Sequence, residues 1–515
     1  MKSGGGRRTR NLEAQVVIIG GGGAGLPAAV AAAEEGATDV IVLEKRATLG
    51  GNAARAWGIF ATESPVQKQA LVDARNEDLF RTIMNWSHWR IDPRIFRAFI
   101  DKSGDTIRWL EEKGIRFDLL RYYPNQSPPV WHVPDGRGAR IVKVLAGNCK
   151  DRGVRLLLHT RCKRILCRED GQIAGVLTET EDRDFAITTK SVIIATGGYG
   201  GNKELLKRYC ADYDDQIQCF GLPHTGDGLL MAIEIGAATE SLGLLHLEWP
   251  HVHSDPASVL ASVAKEPYTM YVNKRGRRFI DEAIGLHVFE SANAVLRQPD
   301  KVGYILFDDE VRRRMEEKGV ILGRGKERAE RRRGMPGLEK QLREAAKNNG
   351  ERIKISGSWT EIANWIGTDP EVLNAALDEY NSFCDRGYDE VFGKDPEYLL
   401  PLRSAPYYAI KGELIFLQTA GGVKVNECME VLNQQDQPIP GLYAAGVDTG
   451  GWEPDTYCHM LSGTAFGFSV NSGRIAGENA AKFVFGAGYA LESTHLSPLK
   501  LFVQRRGEGA NRDEF

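Results

Sequence analysis

The first strong pattern along the chain is an apolar run that leads into a glycine-rich turn. Residues 16–19 read Val-Val-Ile-Ile, which is typical of a parallel strand covered on both faces. Residues 20–25 follow Gly-x-Gly-x-x-Gly spacing, and a helix of small residues is expected over 26–33. A second apolar run, 40–43, ends at Glu44. This order of strand, turn, helix and strand predicts a βαβ unit that binds a dinucleotide.

Each glycine of the turn has a separate physical role. Gly20 permits the tight turn, Gly22 lets the backbone approach a pyrophosphate, and Gly25 lets the helix pack closely on the strand. The helix N-terminus would face the phosphates, and Glu44 would accept hydrogen bonds from ribose hydroxyls. A glycine loop without a nucleotide is the alternative, but it does not account for the acidic residue at the end of the second strand.

The remaining pattern changes character along the chain. Apolar positions at helical spacing predict helices over 69–115. Short alternating runs over 154–194 predict a small antiparallel meander. From about 243 to 404 the βαβ pattern disappears, and charged helices such as 335–347 and 370–385 replace it. These shifts indicate an α/β domain interrupted by a second unit.

Composition narrows the classes of function. The chain has 515 residues, and Lys+Arg 66 against Asp+Glu 69 gives a net charge of -3, so no global field favours nucleic acid or membrane. The charge run 324–333 contains interspersed glutamates and is interpreted as a solvated helix face. The closest of the eight cysteines, Cys162 and Cys167, have neither zinc nor iron–sulfur spacing, so no metal site is expected. Free thiols predict a reducing, cytoplasmic location.

One segment could be mistaken for a signal or membrane helix. Residues 16–33 are uncharged and mostly apolar. Four consecutive glycines, Pro27 and the following Glu34 argue against that interpretation. No membrane span is therefore expected.

The motifs beyond the first unit resemble those of a known family, the FAD-dependent fumarate reductase and succinate dehydrogenase flavoproteins, which include the 3-ketosteroid dehydrogenases. The likeness covers nearly the whole chain. It depends on the second glycine turn at 50–52 and on the blocks 195–200, 224–228, 419–423, 441–446 and 473–477.

The resemblance implies an α/β fold in which a Rossmann-type FAD-binding domain, like that of glutathione reductase, carries an inserted α+β capping domain. In the family the cap closes over the flavin and forms the substrate cavity between the domains. The implied division is an N-terminal extension over 1–13, the FAD-binding domain over 14–242 and 405–485, the capping domain over 243–404, and a C-terminal extension over 486–515.

Contacts to FAD follow from the matching positions. The implied residues are Gly20, Gly22, Ala24, Gly25, Glu44, Lys45, Gly51, Asn52, Ala53, Cys162, Ala195, Thr196, Gly197, Asp227, Gly446, Asp448, Ser462, Thr464, Ala465 and Phe466. Asp448 is taken to replace a family glutamate whose place is held by Val447. A helix beginning at 462–466 would direct its amides at the N1–C2=O edge of the flavin, although an ordinary capped helix is the alternative. Covalent attachment needs a histidine that 52–55 lacks, so non-covalent FAD is expected.

The family transfers a hydride between flavin N5 and one carbon of a C–C bond, and a proton at the neighbouring carbon. The residues that bind a dicarboxylate and donate the proton in fumarate reductases are missing. Their places are taken by Ser262, Lys265, Leu286, Gln418 and Met460. The substrate is therefore predicted to be less charged than fumarate.

The candidates for proton transfer are tyrosines and histidines near the expected cavity, because a phenol or an imidazole can act as general acid or base. They are Tyr457 and His459 first, then His251 and His287, with His253, Tyr122 and Tyr123 as further polar neighbours. A structural role is the alternative for each histidine. His251 and His253 could pair on a metal, but no third ligand is evident.

The leading hypothesis is an FAD-dependent oxidoreductase that reduces or desaturates a C–C bond activated by a neighbouring carbonyl, in an enone, a ketosteroid-like molecule or another non-fumarate substrate. The alternative is an electron-transferring flavoprotein subunit of a larger iron–sulfur redox complex. The expected partners are a small-molecule substrate and an unidentified electron donor or acceptor, because no second nucleotide motif or Cys-x-x-Cys cluster is visible.

Overall fold

A computed structural model describes residues 12–121, 128–252, 259–321 and 334–486. The strands are β1 (Leu12–Glu13), β2 (Val16–Ile19), β3 (Val40–Leu43), β4 (Ile59–Phe60), β5 (Phe117–Leu120), β6 (Trp131–Pro134), β7 (Arg155–Leu157), β8 (Arg161–Cys167), β9 (Ile173–Glu179), β10 (Asp184–Thr188), β11 (Ser191–Ile194), β12 (Gln218–Cys219), β13 (Thr239–His251), β14 (Met270–Asn273), β15 (Val302–Phe307), β16 (Ile353–Ser356), β17 (Tyr407–Val423), β18 (Glu430–Leu432) and β19 (Pro438–Ala444). The helices are α1 (Gly25–Glu34), α2 (Pro65–Gln69), α3 (Asn76–Trp86), α4 (Pro93–Glu112), α5 (Arg137–Asp151), α6 (Lys203–Tyr209), α7 (Asp227–Glu234), α8 (Val259–Val263), α9 (Val288–Leu296), α10 (Asp309–Lys318), α11 (Leu338–Asn348), α12 (Trp359–Ile366), α13 (Pro370–Arg386) and α14 (Thr464–Phe485).

The central sheet has the strand order β18-β19-β11-β2-β3-β7, and every pair except β18–β19 is parallel. Strands β2 and β3 coincide with the two apolar runs, and all of their residues are buried. Helix α1 connects them and packs against α5 and α14. The predicted α/β fold with a dinucleotide-type βαβ unit is confirmed.

Two glycines let α14 lie directly against the backbone of α1. A Cβ atom on Gly473 would lie 2.2 Å from the carbonyl oxygen of Ala24, and one on Gly477 would lie 2.2 Å from that of Ala28. Only glycine fits such an approach. The 473–477 block therefore has a packing role, and it fixes the helix whose N-terminus faces the site described below.

Three further sheets accompany this core, and the smallest has the antiparallel strand order β4-β6-β5. Strands β8, β9 and β10 form the predicted antiparallel meander, with β1 added parallel to β10, while β7 joins the central sheet instead. The other sheet is built around the long strand β17, which pairs with β12, β13, β15 and β16, while β14 pairs with β15. This sheet extends on both sides of 243–404, and the domain boundaries stay a prediction.

Some sequence expectations concern residues outside the described ranges. They are Tyr122, Tyr123, His253, the charge run 324–333 and most of the two terminal extensions. Among the helices that the structure describes, none combines the length and the apolar character needed to cross a bilayer.

Candidate active site

A cavity of about 650 Å³ opens at the carboxyl ends of the central parallel strands. Ligands of open α/β sheets bind at this edge. Its wall contains most of the residues expected to bind FAD, together with two of the proton-transfer candidates. These are Gly20, Gly22, Ala24, Glu44, Lys45, Gly51, Asn52, Ala53, Cys162, Ala195, Thr196, Gly197, Asp227, Gly446, Ser462, Ala465 and Phe466, with Tyr457 and His251. Gly25, Asp448, Thr464, His287 and His459 lie outside the lining.

Within the glycine turn, two glycines are needed for packing of the chain and one leaves room for a ligand. A Cβ on Gly20 would lie 2.1 Å from the Ala195 carbonyl oxygen, and one on Gly25 would lie 1.8 Å from the Gly20 carbonyl oxygen. A Cβ on Gly22 would meet only the Gly50 carbonyl oxygen, at 3.9 Å, and would otherwise enter the cavity. Open space over Gly22, at the start of α1, is what a pyrophosphate requires. Because of this open space, the residues of the glycine turn fit the pyrophosphate of FAD.

Glu44 closes the same end of the cavity. Its Oε2 accepts a hydrogen bond from the Gly21 amide at 3.0 Å, and its Oε1 accepts one from the Arg46 amide at 2.9 Å. A carboxylate has about four acceptor positions, so two remain for hydroxyl donors. The backbone thus orients Glu44 for the ribose contact that the sequence predicts.

A charged cluster lies next to Glu44. Asp227 contacts Lys45 at 2.9 Å and Arg161 at 3.1 Å. Burial opposes ionisation, but the two cations hold the pKa of Asp227 below its usual range. His224, which the sequence analysis did not name as a site residue, also lines the cavity, and burial together with Arg46 and Lys45 lowers its pKa to about 4.

Asp448 supports the end of β11 from behind the cavity wall. It accepts hydrogen bonds from the Thr196 hydroxyl at 2.9 Å and from the Gly197 amide at 2.7 Å. It is 1% exposed, and burial raises its pKa to about 6. Asp448 therefore positions the loop at 195–197, which lines the cavity, and does not line it itself.

The N-terminus of α14 is hydrogen-bonded to the side chain of Tyr457. The phenolic oxygen accepts hydrogen bonds from the Gly463 amide at 2.7 Å and from the Thr464 amide at 3.1 Å. These two amides thus contact a side chain rather than being left for a flavin carbonyl, while Ala465 and Phe466 continue the cavity wall. Burial raises the pKa of Tyr457 well above its usual range, so the phenol keeps its proton. Both oxygen lone pairs accept from these amides, and the phenol also has a hydrogen bond with the Thr464 side chain.

A histidine that the sequence analysis missed packs on Tyr457. The His246 Nε2 atom lies 2.9 Å from a Glu453 carboxylate oxygen, and both side chains are only 3% exposed. The His246 ring meets the Tyr457 ring edge-on, with centroids 5.1 Å apart, and Phe289 packs on the same ring at 4.5 Å. His246 lines the cavity. Carboxylate, imidazole and phenol thus form one contiguous group.

Further polar side chains line the same end of the cavity. Lys265 is paired with Glu248 at 3.2 Å, and His251 packs against Phe220 with ring centroids 5.1 Å apart. Burial lowers the pKa of His251, which favours the neutral imidazole. The side-chain nitrogen of Gln418 is buried and has no hydrogen-bond partner among the described residues.

The other two proton-transfer candidates, His287 and His459, pack against each other and do not line the cavity. The rings of His287 and His459 have centroids 4.1 Å apart, and His459 Nδ1 lies 2.5 Å from Glu290 Oε1. Their catalytic role stays a prediction. Leu286 is buried, and Met460 packs against the core.

Comparison with known proteins agrees with this geometry. A family model described as FAD binding domain matches residues 15–455. The chain is 31% identical to the vinyl phenol reductase of Lactiplantibacillus plantarum over 458 residues, 86% of this chain and 92% of that protein. It is 30% identical to the probable fumarate reductase Ifc3 of Shewanella frigidimarina over 87% of this chain and 71% of that protein. The 3-ketosteroid-Δ4-(5α)-dehydrogenase of Rhodococcus jostii RHA1, at 24% identity, shares the fold with a TM-score of 0.72 over 92% of this chain and 98% of that one.

Proposed function

This chain belongs to the FAD-binding flavoprotein family that includes the fumarate reductases, and we propose that its substrate is a largely apolar molecule with a C–C bond conjugated to an uncharged oxygen group. The chain is an FAD-dependent oxidoreductase that acts on C–C bonds activated in this way. A ketone or a phenol has the required chemistry, and the likeness to a vinyl phenol reductase supports this class.

The observation that carries the proposal is the shortage of free positive charge at the end of the cavity around Tyr457. Among the described lining residues between 239 and 423, Lys265 is the only lysine or arginine, and Glu248 neutralises it. Arg55 and Arg137 also line the cavity, but their guanidinium groups lie over the rings of Phe220 and Trp57. The neighbouring wall is mostly apolar and includes Val288, Phe289, Ile415 and Leu417. A carboxylate desolvated there without a partner would cost several kcal/mol.

The chain's own groups can manage the proton. When bound, FAD exchanges a hydride with one carbon of the reacting bond. Tyr457 donates a hydrogen bond to the substrate oxygen, or a proton to the neighbouring carbon, and its neutral phenol needs no counter-charge in a dry site. His246, whose Nε2 atom lies 2.9 Å from a Glu453 oxygen, packs on the phenol and is the imidazole assigned to exchange that proton. His251 is the second choice, because it also lines the cavity.

The test follows flavin reoxidation in the purified, FAD-loaded chain. The flavin is reduced without oxygen and mixed with a cyclic enone, with 4-vinylphenol or with fumarate. We expect the uncharged compounds to reoxidise it at least about a hundredfold faster than fumarate, because their binding leaves no carboxylate unpaired. Faster reoxidation by fumarate would refute the proposed substrate class. Saturated ketones mixed with the oxidised flavin test the reverse direction.

We propose that FAD is held without a covalent bond. The second glycine turn and the helical turn Gly51–Arg55 that follows it contain no histidine. Acid precipitation should release all of the yellow colour, and colour that stays in the pellet would contradict the proposal.

We propose that the electron donor or acceptor is a separate protein or a small molecule. We also propose a cytoplasmic location for the chain. The rival function, an electron-transferring subunit of an iron–sulfur complex, predicts co-purification with an iron–sulfur protein and no turnover by the isolated chain. Turnover of the isolated chain with an artificial dye would exclude the rival.

A further inference from the structure

Three side chains with metal-binding chemistry meet beside the cavity but outside its lining. His287, Glu290 and His459 each offer one ligand atom, and these atoms all lie within 4.8 Å of one another. The side chains of Glu290 and His459 are 19% and 15% exposed, so an ion could reach them from solvent. We propose that this cluster binds one divalent transition-metal ion, with Zn²⁺ as the best match.

The local structure explains why the three ligands converge. His287 is the residue that precedes the first turn of α9, and Glu290 lies three positions later, which places both on one side of that turn. His459 begins the short helical turn His459–Leu461 just before α14. The Asn293 side chain donates a hydrogen bond to the Thr456 hydroxyl at 2.8 Å, which holds α9 against the same loop without any ion.

The ligand set selects the kind of metal. Two imidazoles and one carboxylate, with water in the fourth position, match the ligands of open zinc sites. Mg²⁺ and Ca²⁺ prefer oxygen ligands only and suit this set poorly. Zinc bonds of about 2.0–2.2 Å place ligand atoms roughly 3.3–3.6 Å apart in a tetrahedron. The three groups therefore need only small side-chain movements to surround an ion.

The charges of the cluster are also suitable. The Glu290 Oε2 atom is buried and lacks a hydrogen-bond partner among the described residues, so the carboxylate has an unused acceptor. The contact of 2.5 Å between His459 and Glu290 is shorter than the spacing of two ligands on one ion. Metal binding would lengthen it.

An ion here would fix part of the cavity wall. Val288 and Phe289 lie between the two ligands of α9, and both line the cavity. Phe289 also packs on the ring of Tyr457. The bound ion would hold the first turn of α9 against the loop before α14, so it would order the substrate end of the cavity without touching the reacting atoms.

The experiment measures metal binding directly in the full, FAD-loaded chain after treatment with a chelator. Equilibrium dialysis against Zn²⁺ should give one ion per chain, and Co²⁺ should give the visible absorption bands of a four-coordinate site. Glu290→Gln keeps the size of the side chain and His459→Gln removes an imidazole, and each should weaken Zn²⁺ binding about tenfold or more. Zn²⁺ should also raise the melting temperature of the wild type more than that of either variant.

Two matched controls separate the site from general effects. Asn293→Ala breaks the contact between α9 and the loop but keeps all three ligands, and it should still bind one ion. His159→Asn removes an exposed histidine with a φ of 51°, a conformation that asparagine tolerates, and it should not change binding. Less than about half an ion per chain in the wild type, or equal affinity in Glu290→Gln, His459→Gln and the wild type, would overturn the proposal.

Discussion

The two ends of the cavity are built by different means. At the nucleotide end, the backbone of neighbouring residues forms the surface, and Gly20, Gly22 and Glu44 come from one continuous βαβ unit. At the substrate end, side chains from distant segments form the surface, and His246, Phe289 and Tyr457 meet only in the folded chain. A backbone surface needs particular conformations, which limit the residues that can form it, whereas a side-chain surface can be assembled in many ways.

The first prediction tests whether, at the nucleotide end, one glycine is needed for folding and another for binding FAD. Gly25→Val places side-chain atoms inside the contact with the Gly20 carbonyl, 1.8 Å from a Cβ, and we expect it to prevent folding. Gly22→Val points into open space, so the chain should fold but lose FAD. Circular dichroism measures the first effect, and the flavin content of the purified protein measures the second. A folded, yellow Gly22→Val protein would break the distinction.

The same difference explains how far the sequence could be interpreted. The runs at 16–19 and 40–43 and the glycine turn required only local rules, and they match β2, β3 and the cavity wall. The pair His246 and Glu453 could not be found in this way, because the two residues lie far apart in sequence and neither belongs to a motif. A histidine inside the apolar run at 244–247 was the only available signal.

Spacing alone also does not give the direction of the side chains near Tyr457. His459 lies two residues after Tyr457, yet its ring packs against His287 outside the cavity. Asp448 occupies the place next to that of a family glutamate, yet it supports the β11 end from behind. Both outcomes depend on turns of the backbone that short irregular segments do not encode in a pattern.

The second prediction concerns the substrate end. Tyr457→Phe removes the only phenol in the described cavity wall and should lower kcat about a hundredfold while FAD stays bound, because a positioned acid is usually worth at least that much. Stopped-flow reoxidation with an enone measures the effect. The matched control is Tyr443→Phe, whose hydroxyl contacts the Asn479 carbonyl oxygen outside the cavity. Equal rates in Tyr457→Phe and the wild type would move the role to His246 or His251.

The third prediction uses a buried histidine that no carboxylate accompanies, in contrast to His246. His132 donates from Nδ1 to the Val130 carbonyl oxygen at 3.0 Å and accepts from the Ser64 hydroxyl at 2.7 Å, so its neutral ring is satisfied. Burial lowers its pKa from 6.5 to about 4. The unfolded chain therefore binds more protons between these values, and stability falls as the pH falls.

The expected loss from this group is about 2 kcal/mol in the free energy of unfolding between pH 7 and pH 5. Urea unfolding of the wild type and of His132→Gln at both pH values measures it. The variant starts less stable, because two hydrogen bonds are disturbed, but its further loss on acidification should be smaller by that amount. An equal pH dependence in both proteins would show that His132 is protonated in the folded state.

The last and smallest predicted effect tests whether the carboxylate behind His246 matters to the chemistry. Glu453→Gln keeps the size of the side chain, but removes the negative charge that lies 2.9 Å from the His246 Nε2 atom. The phenol and its contacts with the Gly463 and Thr464 amides stay in place, so we expect kcat to fall only about tenfold. Substrate affinity and FAD content should not change, and steady-state kinetics with an enone separate kcat from KM. If His246 only fills space beside Tyr457, Glu453→Gln will leave kcat as it was, while a bulkier loss such as His246→Ala will raise KM.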